Sequence, residues 1–90
     1  MTKQIALPNM KDILIQSSKA YDIIMIVGVY SVYPIFCIIP LNNNSEPLRL
    51  GKGDTSVTIS AITSTSVNIK LNEWAACTAI GTGQLSMTVH

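Results

Sequence analysis

In the second half of the chain apolar and polar residues alternate one for one. Val57, Ile59 and Ala61 interleave with Thr58, Ser60 and Ile62. Val67, Ile69 and Leu71 interleave with Asn68, Lys70 and Asn72, and Leu85, Met87 and Val89 with Ser86, Thr88 and His90. A two-residue period sends successive side chains to opposite faces of an extended chain, so each run predicts an antiparallel strand with one face buried. Gly51-Lys52-Gly53-Asp54, Thr63-Ser64-Thr65 and Gly81-Thr82-Gly83 supply the turns between them. Leu48-Arg49-Leu50 is a short alternating run, and Trp74 to Ile80 a strand of small residues.

The first half is less periodic and more apolar. Asp12 to Gln16 predicts a short strand, ended by Ser17-Ser18-Lys19. Tyr21 to Val32 predicts a long apolar strand in which Gly28 marks a bulge or a close backbone approach. Ser31 to Pro34 makes the turn and Ile35 to Leu41 the returning strand. Pro34 and Pro40 lack a ladder donor and belong at strand ends or edges. Asn42 to Pro47 is a polar surface loop, and residues 1–11 are an irregular arm or a segment packing on a neighbour. No window has a helical period. The chain is therefore expected to form one domain over residues 1–90. Residues 12–89 would make an all-β, antiparallel β-sandwich or jelly-roll-like fold of about seven or eight short strands.

The same apolar stretch supports an alternative. Ile23 to Leu41 is uncharged, and its nineteen residues approach the roughly 20 that span a bilayer as a helix. Lys3, Lys11 and Lys19 precede it, as the positive-inside rule favours. A small single-pass membrane protein with a helix over residues 23–41 is thus the competing architecture, opposed by the density of β-branched residues.

Composition changes the picture in one respect. Charged residues are 12% of the chain, against about 25% in ordinary domains, while apolar residues are 48%. A net charge of +1 recommends neither nucleic acid nor anionic lipid as partner. A domain of this size buries only about 60–65% of its potential surface, so a chain this poor in charge leaves apolar area uncovered as a monomer. That argues for a homo-oligomer, with the strands of residues 21–41 covered by their own sheet and by another subunit. A monomer with a Ser/Thr-rich surface is the other outcome.

Candidate chemistry is sparse. Cys37 and Cys77 lie in apolar runs with no metal-ligand spacing, and His90 is the only histidine. Buried free thiols are the expectation, with no metal or cofactor. Asp12, Asp22, Glu46, Asp54 and Glu73 offer no pair spaced on one strand face for acid–base work, so the chain is read as non-catalytic. Gly51 to Ser56 lacks phosphate-loop spacing and leads into a strand, which leaves a hairpin turn. The sequon at Asn43 matters only in a secreted protein. Pro8, Asn9, Lys11 and Asp12 interrupt any signal-peptide layout, so synthesis in the cytosol is expected. Asn72-Glu73-Trp74 is the one arrangement suited to a ligand. An exposed indole stacks on the C–H face of a sugar while an adjacent amide and carboxylate meet its hydroxyls. Tyr33, near the hairpin turn, would extend that platform, whereas a Trp74 that fills the core or an oligomer seam would bind nothing; Tyr21 and Tyr30 admit the same two readings.

Lys19-Ala20-Tyr21-Asp22-Ile23-Ile24-Met25-Ile26-Val27, the Ile39-Pro40-Leu41 step, the polar loop and the Ser/Thr-rich alternating strands together resemble a known family. They are similar to the small β-sandwich tip domains that close the C-terminal ends of bacteriophage tail fibres and tailspikes, over residues 12–89. The resemblance implies a viral, virion structural protein made in the host cytoplasm. Such a domain trimerises about a threefold axis and either binds carbohydrate receptors on the host surface or caps the fibre. No receptor-binding residue carries over, because those contacts vary. A chain starting at Met1 also lacks the shaft that precedes such tips, which implies a separately made small chain or a fragment.

Overall fold

A computed structural model describes residues 4–44 and 46–90. The alternating runs are strands, as their period requires. In chain order they are β1 (Gln4–Ala6), β2 (Ile13–Ser17), β3 (Ile23–Tyr30), β4 (Tyr33–Pro40), β5 (Leu48–Leu50), β6 (Val57–Ser60), β7 (Ser66–Leu71), β8 (Ala75–Gly81) and β9 (Leu85–Val89). A single 3-10 turn, Asp54–Ser56, precedes β6. Two antiparallel sheets pack face to face, one in the order β1-β8-β3-β4-β5 and the other in the order β6-β7-β2-β9. The fold is an all-β sandwich.

Three expectations need correction. The segment of residues 23–41 is a hairpin rather than one helix, and no helix among the described residues is long and apolar enough to cross a membrane. The β-branched Ile and Val of this segment favour extension, and β3 and β4 pair with each other and with β8 and β5 on either side. Residues 1–11 are not wholly irregular, because Gln4–Ala6 pairs with Thr78–Ile80 of β8. The strand count among the described residues is accordingly nine. The hairpin turn is also tighter than expected. Tyr30 pairs with Tyr33, leaving Ser31 and Val32 as the loop, with Ser31 at φ 56. Residues 1–3 of the arm lie outside the described residues, as does Ser45 of the polar loop and of the Asn43 sequon.

Gly28 is a close approach, not a bulge. The ladder runs through it without interruption, Val27 opposite Thr78 and Gly28 opposite Cys77. A Cβ at Gly28 would stand 2.0 Å from the Ala76 carbonyl oxygen and 2.7 Å from the Cys77 Cα.

The two prolines of β4 set the length of β5. Leu41 donates to the Asp22 carbonyl across the ladder, so alternate residues of β4 (Pro34, Phe36, Ile38, Pro40) turn their backbone groups away from β3 and toward β5. Pro34 and Pro40 have no N–H to offer. Only Phe36 and Ile38 lie between them, and β5 pairs with that stretch alone, Leu50 opposite Phe36 and Leu48 opposite Ile38.

Between the sheets, Ile13, Ile15, Val67, Ile69 and Leu71 pack toward Ile24, Ile26, Ile35, Cys37, Ile39 and Ala79. Cys37 on β4 and Cys77 on β8 are both buried and free, with β3 between them. Burial pushes both thiols up, Cys77 to about 11.

Candidate functional site

The outward faces of the two sheets differ in kind. In the four-stranded sheet the core-facing residues of β6, β7 and β2 leave Thr58, Ser60, Asn68, Lys70 and Gln16 pointing out, all exposed. In the five-stranded sheet the same alternation turns hydrocarbon outward. One row across the strands reads Gln4, Ile80, Met25, Ile38, Leu48, and the next Ala6, Thr78, Val27, Phe36, Leu50. Ile23 and Val29 extend the face along β3 and are 51% and 45% exposed; Leu48 and Leu50 on β5 are 52% and 45% exposed. No described residue of this face is charged. With strands about 4.8 Å apart and a rise of about 3.4 Å per residue, the patch covers roughly 400 Å². That lies within the about 300–600 Å² of the largest apolar patch on a typical monomer, a feature that is often functional.

A second feature sits at one end of the sandwich. The β7–β8 connection, Asn72-Glu73-Trp74, is a turn closed by Ala75 N–H donating to Asn72 O at 3.1 Å. Asn9 reaches it from the arm, its Nδ2 donating to the carbonyls of Asn72 (3.0 Å) and Ala75. Trp74 does not fill the core: it is 67% exposed. Its carbonyl accepts from Ser31 N at 3.3 Å, which seats the β3–β4 turn beside it. Asn72 Oδ1 is occupied by Glu73 N–H at 3.0 Å, leaving the Asn72 amide nitrogen and the exposed Glu73 carboxylate for a ligand. Tyr33, 45% exposed, is at the same end, but β3 separates its strand from that of Trp74. The structure thus brings Asn72, Glu73 and Trp74 into one turn and leaves Tyr33 beyond the next strand. Tyr30 packs against the core, whereas Tyr21 is 69% exposed at the far end of β3, on the turn that leads into it. An open concavity of about 270 Å³ adjoins Asn72 on its other side, lined also by Met10, Thr55, Thr58 and Lys70. Trp74 does not line it.

No known protein family, curated protein or solved structure matches the chain.

The residue that sequence reasoning missed is Asp22. It is 1% exposed, and its carboxylate gathers the corner where β2 runs into β3 and β8 into β9. Oδ1 accepts from Ile23 N at 2.8 Å, from Thr82 N at 3.2 Å and from the Thr82 hydroxyl. Oδ2 accepts from Ser17 Oγ at 2.8 Å and Gly83 N at 3.0 Å. Burial raises its pKa, but the hydrogen bonds from Thr82, Gly83, Ser17 and Ile23 outweigh it and hold the carboxyl at about 2, below the ordinary 3.8. A carboxylate with every lone pair engaged is a structural staple, not an acid or base. The signal for it was a lone Asp ahead of an apolar run together with a distant Thr-Gly turn, and nothing in a linear reading joins the two. Among the described residues no group of three or more His, Cys, Asp or Glu is placed to hold a metal.

Proposed function

We propose that the chain is a non-catalytic assembly domain that works as a homo-oligomer, with the outer face of the five-stranded sheet turned against its own copies. The observation that carries this reading is the contrast between the two outer faces, one mainly of hydroxyls, amides and a lysine, interrupted by Leu14, and one mainly of hydrocarbon, with Thr78 within it and Gln4 at its edge. An uncharged apolar face is complementary to itself, because bringing copies together opposes no like charges. Its footprint is in the range of the apolar patches that serve as contact surfaces. The resemblance to tail-fibre tips makes the assembly a trimer and the setting a virion, where the domain, made in the host cytoplasm, caps a fibre or attaches it to a receptor.

Size-exclusion chromatography with light scattering on detergent-free protein tests the assembly. The wild type is expected at a multiple of three times 9.7 kDa, and Val27→Glu, which places a carboxylate at the middle of the face, at one third of the wild-type mass with unchanged β circular dichroism. A monomeric wild type, or a Val27→Glu variant that keeps the wild-type mass, refutes the reading.

The exposed Trp74 favours a second role on the same oligomer, stacking on a host surface glycan beside Asn72 and Glu73. Several weak sites on one particle would act by avidity. Trp74→Ala is expected to abolish binding on a glycan array while leaving the particle mass unchanged; retained binding removes the sugar platform.

A further inference from the structure

Each sheet has two edges, and the molecule treats them differently. On one flank Arg49 of β5 reaches across to β6. Its guanidinium donates to the carbonyls of Val57 at 2.8 Å and Asp54 at 3.0 Å. Asn72 N–H bonds Ser56 O, so Val57 is among the β6 residues whose backbone groups point away from β7, and the arginine occupies that free acceptor. On the other flank β1 is three residues long and lies beside β9.

The β9 edge has none of the usual protections. Leu85-Ser86-Met87-Thr88-Val89 contains no proline, glycine or charge, and its ladder to β2 runs without a bulge from Ser17–Leu85 to Ile13–Val89. Its hydrogen-bonding phase follows from the ladder ends. His90 N–H donates to Asp12 O and Ser18 N–H to Gln84 O, so the even-numbered residues face β2. Leu85, Met87 and Val89 therefore turn both N–H and C=O to the open edge. Met87 and Val89 are core-facing in phase, yet 37% and 44% exposed.

We propose that β9 pairs antiparallel with β9 of a second copy of this chain, about a twofold axis through Met87. That register sets Leu85 of one copy opposite Val89 of the other and Met87 opposite Met87. Every outward N–H and C=O of those residues then finds a partner. With the axis normal to the sheet the core-facing sides stay on one side, so Met87 and Val89 are covered by their counterparts. Two four-stranded sheets become one continuous sheet. This pairing uses the other sheet from the apolar outer face and stands without it; if both operate, edge pairing joins two face-assembled particles.

Crosslinking of the full chain through one introduced cysteine, with Cys37 and Cys77 buried and out of reach, under mild oxidation with oxidised glutathione tests the register. Directly opposed Cα atoms in such a pair lie about 5.5 Å apart, within disulfide reach, whereas diagonal ones lie about 7–8 Å apart. Met87→Cys is expected to give a disulfide-linked dimer on a non-reducing gel, and Ser86→Cys none, since Ser86 would sit opposite Thr88 and point to the other face. Met87→Pro removes a donor that β2 does not use; it should keep the fold, halve the particle mass and weaken pairing at least about tenfold. No dimer from Met87→Cys, or equal dimer from Ser86→Cys, overturns the proposal. So does a folded Met87→Pro variant of wild-type mass. Val27→Glu separates the two interfaces, because it should abolish face assembly and leave the Met87→Cys crosslink intact.

Discussion

Replacing Asp22 by Asn changes almost no volume and removes the charge on which five hydrogen bonds converge. The amide keeps one acceptor oxygen. Whichever way it is turned, its NH₂ group confronts donors, either Ser17 Oγ and Gly83 N or Ile23 N, Thr82 N and the Thr82 hydroxyl. Each buried donor left without a partner costs about 1–3 kcal/mol. Proton linkage gives an independent figure. A carboxyl held at about 2 rather than 3.8 is stabilised in its ionised form by about 2.4 kcal/mol, at about 1.36 kcal/mol per pH unit. The expected loss on Asp22→Asn is therefore about 2–4 kcal/mol at neutral pH, a large share of the roughly 5–10 kcal/mol of a domain this size. The sign of the pH dependence follows from the lowered value. The contribution is complete above about 4, where the unfolded chain is also ionised, and disappears as pH falls through about 2. Urea unfolding of wild type and variant between pH 7 and pH 2 measures both. The difference between the two curves, which cancels the other carboxylates, should shrink over that acid window. A difference below about 0.5 kcal/mol at pH 7, or one that stays constant to pH 2, would refute the staple.

Two further outcomes follow from the packing. Gly28→Ala drives a methyl into the Ala76 carbonyl, so the β3–β8 ladder must separate; a loss of about 3 kcal/mol or more in urea unfolding, or failure to fold, is expected, and a neutral variant would contradict the close approach. Cys37 and Cys77, buried and with raised pKa, should react with a thiol reagent only as fast as the sandwich opens, so labelling should accelerate with urea in step with unfolding; rapid native labelling would contradict their burial.

The strands of the second half were legible because each buries one face, and burial on one face writes a period of two into the residues. The hairpin of residues 23–41 was not so legible. β3 and β4 carry apolar residues on their outer face as well as their core-facing one, as a membrane helix does all round, and only the β-branched content separated the two. β1 escaped because Gln4-Ile5-Ala6 is too short to carry any period. Trp74 was visible as a candidate, but its exposure depends on how the β7–β8 turn leaves the core, and that is set by Asn9 and Ser31 from distant segments. The apolar outer face was foreshadowed by the shortage of charge. Which residues compose it required the register of Met25 against Ile38 and Ile80, which no local pattern encodes.

The Arg49 clasp has a consequence for growth. A sandwich open on both flanks would offer two sticky ends, and strand joining strand could continue without limit, as in a fibril. Here the guanidinium takes up the Val57 and Asp54 carbonyls of one flank from within the same chain, tying β5 to β6 where an added strand would begin to pair. With β9 pairing as proposed and addition hindered at the clasp, the molecule has a lateral valence of one. A unit of valence one can end a chain of strands but cannot lengthen it, so a single side chain turns a potential polymer subunit into a terminator.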